Sequence, residues 1–251
     1  MKRQRGTMSM PLFHKIIDDA ATIPPIDKVT LTGLGEPLLD KHLMERLRYI
    51  RKHMRIGCLD LYTNGSLLTT ELVRQFEDVG VSMLYVSLNA VNSRLRSQVM
   101  KLDDYEQVAR VLDESIEMTK DSEMKIVVKA VAGSSLMEPG DADAFIQRWG
   151  GTYDKGGHAF LHLEGNWAGL TYPMRIQPVT PCSRALEQIM VMWDGRVSLC
   201  CFDGEGEVVF GDLNKQSIRE IFNGGLALEY REAHVSGRRG EMKLCKSCTT
   251  I

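Results

Sequence analysis

The sequence predicts an α/β protein with a parallel sheet, open or barrel-like, followed by a small C-terminal module. Two observations predict the sheet: apolar runs of strand length recur along the chain, and stretches with helical spacing lie between them. A third predicts the module, because five of the six cysteines lie within the last 70 residues. We place the boundary near residues 170–180, which gives segments 1–172 and 173–251.

Five strands alternate with four helices in the first segment. The predicted strands are Val29–Thr32, Leu59–Tyr62, Met83–Leu88, Lys125–Val131 and Ala159–Leu163. The predicted helices are Lys41–His53, Thr69–Val79, Asp103–Lys120 and Asp141–Trp149. The strands are nearly all apolar, as expected where both faces of a parallel sheet are covered.

The pattern changes after Pro173. Ile189–Trp193 and Val197–Cys201 flank Asp194 and Gly195, which predicts a β-hairpin with its turn at these two residues. A short helix begins near Ser217 and ends at an Asn-Gly-Gly sequence.

Composition favours no nucleic-acid or membrane function. The net charge is −2, and no apolar run approaches the roughly 18 residues of a membrane helix. The basic N-terminus has no apolar segment after it, so a secretory signal is not expected. We therefore expect a cytoplasmic protein whose cysteines stay reduced.

Polar residues and glycines lie at or near the carboxyl end of each predicted strand, on the same side of the sheet. A single example is typical of any turn, but five strand ends in register predict a ligand site at the carboxyl edge. The carboxylate of Glu36, beside two glycines, suits a small cationic ligand. The residues are Gly33, Gly35 and Glu36, then Thr63, Asn64 and Gly65, Ser87 and Asn89, Lys129, and Glu164 and Asn166.

Four cysteines predict a closed four-thiolate site. Cys245 and Cys248 form a C-x2-C pair, Cys182 precedes the hairpin, and Cys200 lies in its second strand. Zinc and an iron–sulfur cluster both fit this ligand count, and disulfides are disfavoured in a reducing compartment. Neighbouring Cys200 and Cys201 would point to opposite faces of a strand. We favour Cys200 as the ligand because it lies five residues after Gly195, and we expect Cys58 to be a buried thiol.

Several of these segments resemble one family. "LTGLGEPLLDKHL", "LYTNGSLLT" and "VSLNA" resemble the second, third and fourth strand ends of radical S-adenosylmethionine (SAM) enzymes. "PCSRALEQIMVMWDGRVSLCCFD" and "CKSC" resemble the SPASM module that follows many of them. The resemblance implies an incomplete parallel (β/α) barrel of the radical SAM type, with its first strand missing, followed by a SPASM module.

The resemblance also assigns the candidate SAM-binding residues. It implies that Glu36, with Gly33 and Gly35, holds the SAM ammonium, and that Ser87 and Asn89 face the ribose. Asn64 and Lys129 would lie nearby. Asn89 stands where the family more often has an acid.

For the module, the resemblance implies one auxiliary [4Fe–4S] cluster on Cys182, Cys200, Cys245 and Cys248. The cluster would position substrate or relay an electron. Asp203 is a candidate proton acceptor, with a turn aspartate as the alternative.

The family's reaction is reductive cleavage of SAM to a 5′-deoxyadenosyl radical that abstracts a substrate hydrogen. It implies an electron donor such as a flavodoxin or ferredoxin, and a peptide, sugar or small metabolite as substrate.

The family's C-x3-C-x2-C loop, which holds the SAM-binding [4Fe–4S] cluster, is missing, because no cysteine precedes Cys58. We expect this chain alone to be inactive and favour a fragment of a complete enzyme. A partner chain that supplies the first strand is a second explanation. The alternatives in function are a non-catalytic SAM-fold protein that binds a peptide or partner enzyme, and a zinc-stapled binding module.

Overall fold

The computed structural model describes residues 4–23, 25–32, 35–132, 138–163 and 181–248. The chain forms two compact units. The sheet unit is Pro25–Glu164, and the cysteine unit joins Met1–Pro24 to Gly165–Ile251. The predicted boundary between residues 172 and 173 lies outside the described residues, as do Gly33, Glu164 and Asn166.

The elements follow one another as strand and helix through the sheet unit. The first helix, α1 (Met10–Ala20), belongs to the cysteine unit. The sheet unit then contains β1 (Ile26–Leu31), α2 (Leu43–His53), β2 (Ile56–Thr63), α3 (Thr70–Asp78), β3 (Met83–Ser87), α4 (Ser93–Met100), α5 (Tyr105–Met118), β4 (Lys125–Ala132), α6 (Asp141–Arg148) and β5 (Ala159–Leu163).

The five strands form one parallel sheet in the order β1-β2-β3-β4-β5. The predicted α/β class and all five predicted strands are confirmed. Helix α4 was not predicted, because its sequence, SRLRSQVM, has little apolar periodicity. Its start is fixed instead by Asn92, whose Oδ1 accepts a hydrogen bond from the Leu95 amide at 2.9 Å.

The two faces of the sheet are buried unequally, in contrast to the expected all-apolar strands. One face consists of fully buried aliphatic side chains such as Leu61, Leu84 and Val128. On the other face the register pairs Tyr62 with Tyr85, and these side chains are only half-buried. This polar and aromatic face alternates with the apolar face because neighbouring strand residues point to opposite sides.

The cysteine unit is built from short elements. They are α7 (Ser183–Glu187), β6 (Met190–Val191), β7 (Arg196–Ser198), β8 (Val209–Asp212), α8 (Ile218–Phe222) and α9 (Gly225–Val235). Its three strands form an antiparallel sheet in the order β6-β7-β8. The predicted hairpin is present, with Gly195 at φ +93° in its turn. Strand β8 and helix α9 were not predicted.

The predicted strand Val197–Cys201 was too long. Strand β7 ends at Ser198, so Cys200 and Cys201 lie in the turn that follows it. Strand alternation therefore does not separate these two cysteines, and burial separates them instead. Cys200 is half-buried and Cys201 is exposed.

Helix α1 is fastened to the second half of the cysteine unit by hydrogen bonds that span almost the whole chain. Lys15 Nζ donates to the carbonyl of Leu213 at 2.6 Å. The amide of Ile218, at the start of α8, donates to Asp19 Oδ2, also at 2.6 Å. Among the described residues, no helix combines the length and apolar character needed to cross a bilayer.

Candidate functional site

Glu36 lies just after β1, and its carboxylate connects the ends of β1 and β2. Its Oε1 accepts hydrogen bonds from the Leu38 amide at 3.0 Å and from Thr63 Oγ1 at 2.7 Å. Its Oε2 accepts from the Asn64 amide at 2.7 Å. A carboxylate offers about four acceptor positions, so this fixed group keeps capacity for a further donor.

Arg96, on α4, ties together the loops that follow β2 and β3. Its side chain is 0% exposed. Nη2 donates to the carbonyl of Asn64 at 2.8 Å, and Nη1 donates to the carbonyl of Leu88 at 2.9 Å. Nη1 also lies 3.3 Å from the carbonyl of Ser87, while Nε donates to Asp104 at 2.8 Å. One buried guanidinium therefore positions two candidate ligand-binding loops.

Asn89 and Lys129 are joined through the backbone. Asn89 adopts the left-handed conformation, with φ +54°, and its amide donates to the Lys129 carbonyl at 2.9 Å. The Lys129 ammonium lies 4.9 Å from the ring centroid of Tyr62, 5.7 Å from that of Tyr85 and 5.5 Å from that of Phe160. This contact places a cation among aromatic rings on the half-buried face of the sheet.

The structure thus brings the described members of the strand-end set to one edge. Glu36 bonds to Asn64, and Arg96 joins Asn64 to the end of β3 at Ser87. Asn89 and Lys129 form a separate backbone pair between the ends of β3 and β4. Gly35 is exposed, and a Cβ built on it would meet no protein atom within 4 Å. No contact with the described residues therefore requires glycine at this exposed position next to Glu36.

The cysteine unit brings its four predicted ligands to one cavity. Cys182, Cys200, Cys245 and Cys248 all line it, together with His234 and Arg239. The exposed Cys201 is absent from the lining, and Cys58 lies in β2 of the sheet unit, where it is half-buried rather than buried as predicted. Among the described residues, no group of three histidine, cysteine or carboxylate side chains is suited to holding a single metal ion.

Burial weakens the acidity of two thiols in this cavity, those of Cys200 and Cys245. It raises the pKa of Cys200 to about 11. Burial, followed by the neighbouring Cys200, raises the pKa of Cys245 to about 12, against an opposing effect of the Arg239 charge. Metal and cluster binding requires thiolates, so loading of this cavity must release protons.

Two buried side chains beside the cysteines carry hydrogen-bond donors. His234, on α9, is 1% exposed, and Arg239 is 3% exposed. The backbone amide of Cys182 donates to His234 Nδ1 at 3.1 Å, and His234 Nε2 lies 3.4 Å from Cys245 Sγ. Arg239 Nη2 donates to the carbonyl of Cys248 at 3.3 Å. Burial, and then the Arg239 charge, lowers the pKa of His234.

Asp203 lines the same cavity, but its carboxylate is engaged by the turn. Its Oδ1 accepts from the Glu207 amide at 2.8 Å, and its Oδ2 accepts from the Val208 amide at 2.9 Å. These are the contacts of a turn aspartate. The role of proton acceptor stays a prediction.

Two family models match this chain. The radical SAM superfamily model matches residues 3–129. The SPASM model, described as an iron–sulfur cluster-binding domain, matches residues 182–249. The chain belongs to the radical SAM superfamily. This result confirms the family and the C-terminal SPASM domain that the motifs predicted.

Individual curated relatives align over different shares of the chain. A tungsten-containing aldehyde ferredoxin oxidoreductase cofactor-modifying protein of Pyrococcus furiosus is 34% identical over 88 residues, which are 35% of this chain and 24% of that protein. An S-adenosyl-L-methionine-dependent 2-deoxy-scyllo-inosamine dehydrogenase of Niallia circulans is 20% identical over 250 residues, which are 100% of this chain and 84% of that protein. The first curated relatives are matched over only 24% to 35% of their own length.

Solved structures share the fold. BtrN in complex with AdoMet and 2-DOIA has a TM-score of 0.67 at 17% identity, over 99% of this chain and 83% of that chain. Native anSMEcpe with bound AdoMet has a TM-score of 0.63 at 15% identity, over 98% of this chain and 81% of that chain. At these identities the likeness shows the architecture of radical SAM proteins.

Sequence patterns alone do not assign the roles of three residues of these sites. Arg96 falls in a polar stretch that resembles a solvated helix, and Thr63 was noted only as a strand end. His234 has no metal-ligand spacing with other histidines, so its sequence context predicts only a solvated side chain or one with ordinary hydrogen bonds. Only the folded chain places each beside a candidate ligand-binding group.

Proposed function

We propose that this protein is a radical SAM/SPASM-type protein that binds SAM at the carboxyl edge of its sheet and one [4Fe–4S] cluster in the cysteine unit. The observation that carries the proposal is the shared cavity of Cys182, Cys200, Cys245 and Cys248. Four cysteines are the ligand set of a [4Fe–4S] cluster, and the superfamily's SPASM domain is an iron–sulfur domain. The donors present therefore fit the group.

The edge of the sheet fits the methionine end of SAM. Glu36 presents a carboxylate that three donors hold in place, and an ammonium is the complementary ligand. Asn64 follows β2, Ser87 ends β3 and Asn89 follows it, and their hydroxyl, amide and backbone groups suit a ribose. The space at Gly35 allows close approach to the backbone.

The reaction class follows from the family. Clusters of radical SAM enzymes supply electrons, and SAM supplies the 5′-deoxyadenosyl group that abstracts a substrate hydrogen. Flavodoxin or ferredoxin would serve as the electron donor in the reducing cytoplasm, and the substrate would be a peptide, a sugar or a small metabolite. Cys58 is the one cysteine in the sequence of the sheet unit, and a single thiolate cannot hold a SAM-cleaving cluster.

The experiment is anaerobic reconstitution followed by metal and sulfide analysis and by SAM calorimetry. We expect about four irons and four sulfides per chain, as one [4Fe–4S] cluster requires, and saturable SAM binding. One tightly held zinc and no acid-labile sulfide in protein purified without air would instead favour the zinc-stapled binding module. If the protein holds the cluster but does not bind SAM, the proposed cluster site stands and the proposed SAM site is wrong.

A further inference from the structure

His234 contacts two of the four cysteine segments at once. Its ring is almost completely buried on α9. One ring nitrogen meets the backbone of Cys182 at 3.1 Å, and the other lies 3.4 Å from the sulfur of Cys245. A histidine held at both nitrogens has one fixed orientation, so its contact with the sulfur is part of the fold.

The partners of His234 determine where its proton lies. A backbone amide can only donate, so Nδ1 must accept the hydrogen bond from Cys182. In the neutral ring the proton is then on Nε2, the nitrogen that faces Cys245 Sγ. The contact is therefore an N–H donor directed at a candidate cluster ligand.

Arg239 adds a buried positive charge to the same cavity. Its side chain lines the cavity with the four cysteines, and its Nη2 is held by the carbonyl of Cys248 at 3.3 Å. Because it is 3% exposed, water screens its charge only weakly. Lys246 offers a natural comparison, since it lies between Cys245 and Cys248 in sequence but is exposed.

We propose that His234 donates a hydrogen bond to the Cys245 sulfur and, with the Arg239 cation, raises the reduction potential of the cluster held in this cavity. This inference rests on the proposed [4Fe–4S] site. Reduction adds a negative charge to the cluster and its thiolates. A donor to a ligand sulfur and a nearby buried cation both stabilise the reduced form more than the oxidised form. His234 and Arg239 are thus positioning and tuning residues.

The test compares midpoint potentials of reconstituted full-length protein by EPR-monitored redox titration, after iron and sulfide have been counted. His234→Phe removes the donor, and Arg239→Met removes the buried charge. We expect both variants to keep four irons and to titrate at a lower potential than the parent. His234→Gln, which retains an N–H donor, should lie closer to the parent, and Lys246→Met should shift the potential least.

A second measurement keeps the test decisive if His234→Phe does not bind the iron–sulfur cluster. In protein labelled with ¹⁵N in histidine alone, pulsed EPR of the reduced cluster should show a weak coupling to a histidine nitrogen. The same coupling should be absent from labelled His234→Gln, which has no histidine at this position. Absence of that coupling in the loaded parent would overturn the inference, as would unchanged potentials in loaded His234→Phe and Arg239→Met. A parent without iron and sulfide would instead defeat the proposed function.

Discussion

The sheet unit completely buries several large apolar side chains, whereas the core beside the cysteine cavity mixes alanines and larger side chains with a candidate cluster ligand. Leu47, Leu59 and Phe76 are each 0% exposed in the sheet unit. The other core cluster consists of Ala185, Leu199, Val208, Tyr230, Ala233, Met242 and Cys245. Burial of large side chains can stabilise a domain without help, but a small module often needs a covalent or metal cross-link. Loss of iron should therefore destabilise the cysteine unit more than the sheet unit.

The largest contrast is expected in SAM cleavage. The 251-residue chain, loaded with its one cluster and given SAM and a strong reductant, should form no 5′-deoxyadenosine, because its sheet unit lacks the three clustered thiolates. A longer chain that carries a first strand and a C-x3-C-x2-C loop before residue 1 should cleave SAM. Product analysis by chromatography measures both. Many turnovers by the 251-residue chain would show that this account of the sheet unit is wrong.

Loss of a cysteine ligand should affect the cysteine unit alone. Cys182→Ser and Cys245→Ser should each abolish cluster absorption and loosen this unit, because the cluster replaces much of its core. Iron analysis and thermal unfolding provide the measurement. Cys201→Ser and Cys58→Ser are the controls, and both should retain full iron. If Cys201→Ser loses the cluster while Cys200→Ser keeps it, the ligand assignment is reversed.

Arg96→Met should have the opposite effect, weakening the sheet unit and leaving the cysteine unit loaded. The change leaves buried carbonyls of Asn64 and Leu88 without their donor and should cost about 3–5 kcal/mol of unfolding free energy. Denaturant unfolding measures the loss, and SAM affinity should fall with it because both loops lose their position. Arg94→Met, an exposed change on the same helix, should be nearly neutral. Equal losses in the two variants would contradict this role for Arg96.

The smallest effect is expected for Glu36→Ala. Removing the carboxylate should weaken SAM binding by about 1.5–3 kcal/mol, the scale of a hydrogen bond to a charged group. Anaerobic calorimetry measures the affinity. Glu36→Gln, which keeps an acceptor for the Asn64 amide but loses the charge, distinguishes ammonium binding from loop positioning, and the exposed Glu71→Ala is the neutral control. Parental affinity in Glu36→Ala would remove Glu36 from the site.

Sequence periodicity predicted the regular parts of the fold and left out the parts that depend on local caps or distant partners. Strand β5 has the predicted bounds, Ala159–Leu163, because a compact apolar run defines it. Helix α4 was missed because a cap at Asn92 and the inward-pointing Arg96 define it, and neither creates an apolar stripe. For the sites, the spacing of the cysteines predicted a shared centre because the ligands of one centre must lie close together. The role of His234 could not be predicted in this way, because its partners lie 11 and 52 residues away in the sequence.

The hydrogen bonds of α1 have a consequence for synthesis of the chain on the ribosome. Lys15 and Asp19 find their partners 198 and 199 residues later in the sequence. At about 5–20 residues per second, helix α1 would wait roughly 10–40 s after its own synthesis before Leu213 and Ile218 exist. During that interval its apolar side, with Phe13, Ile16 and Ile17, has none of its final partners from the second half of the cysteine unit. Closure of that unit is therefore a late event, and helix α1 is among the last elements to reach its final contacts.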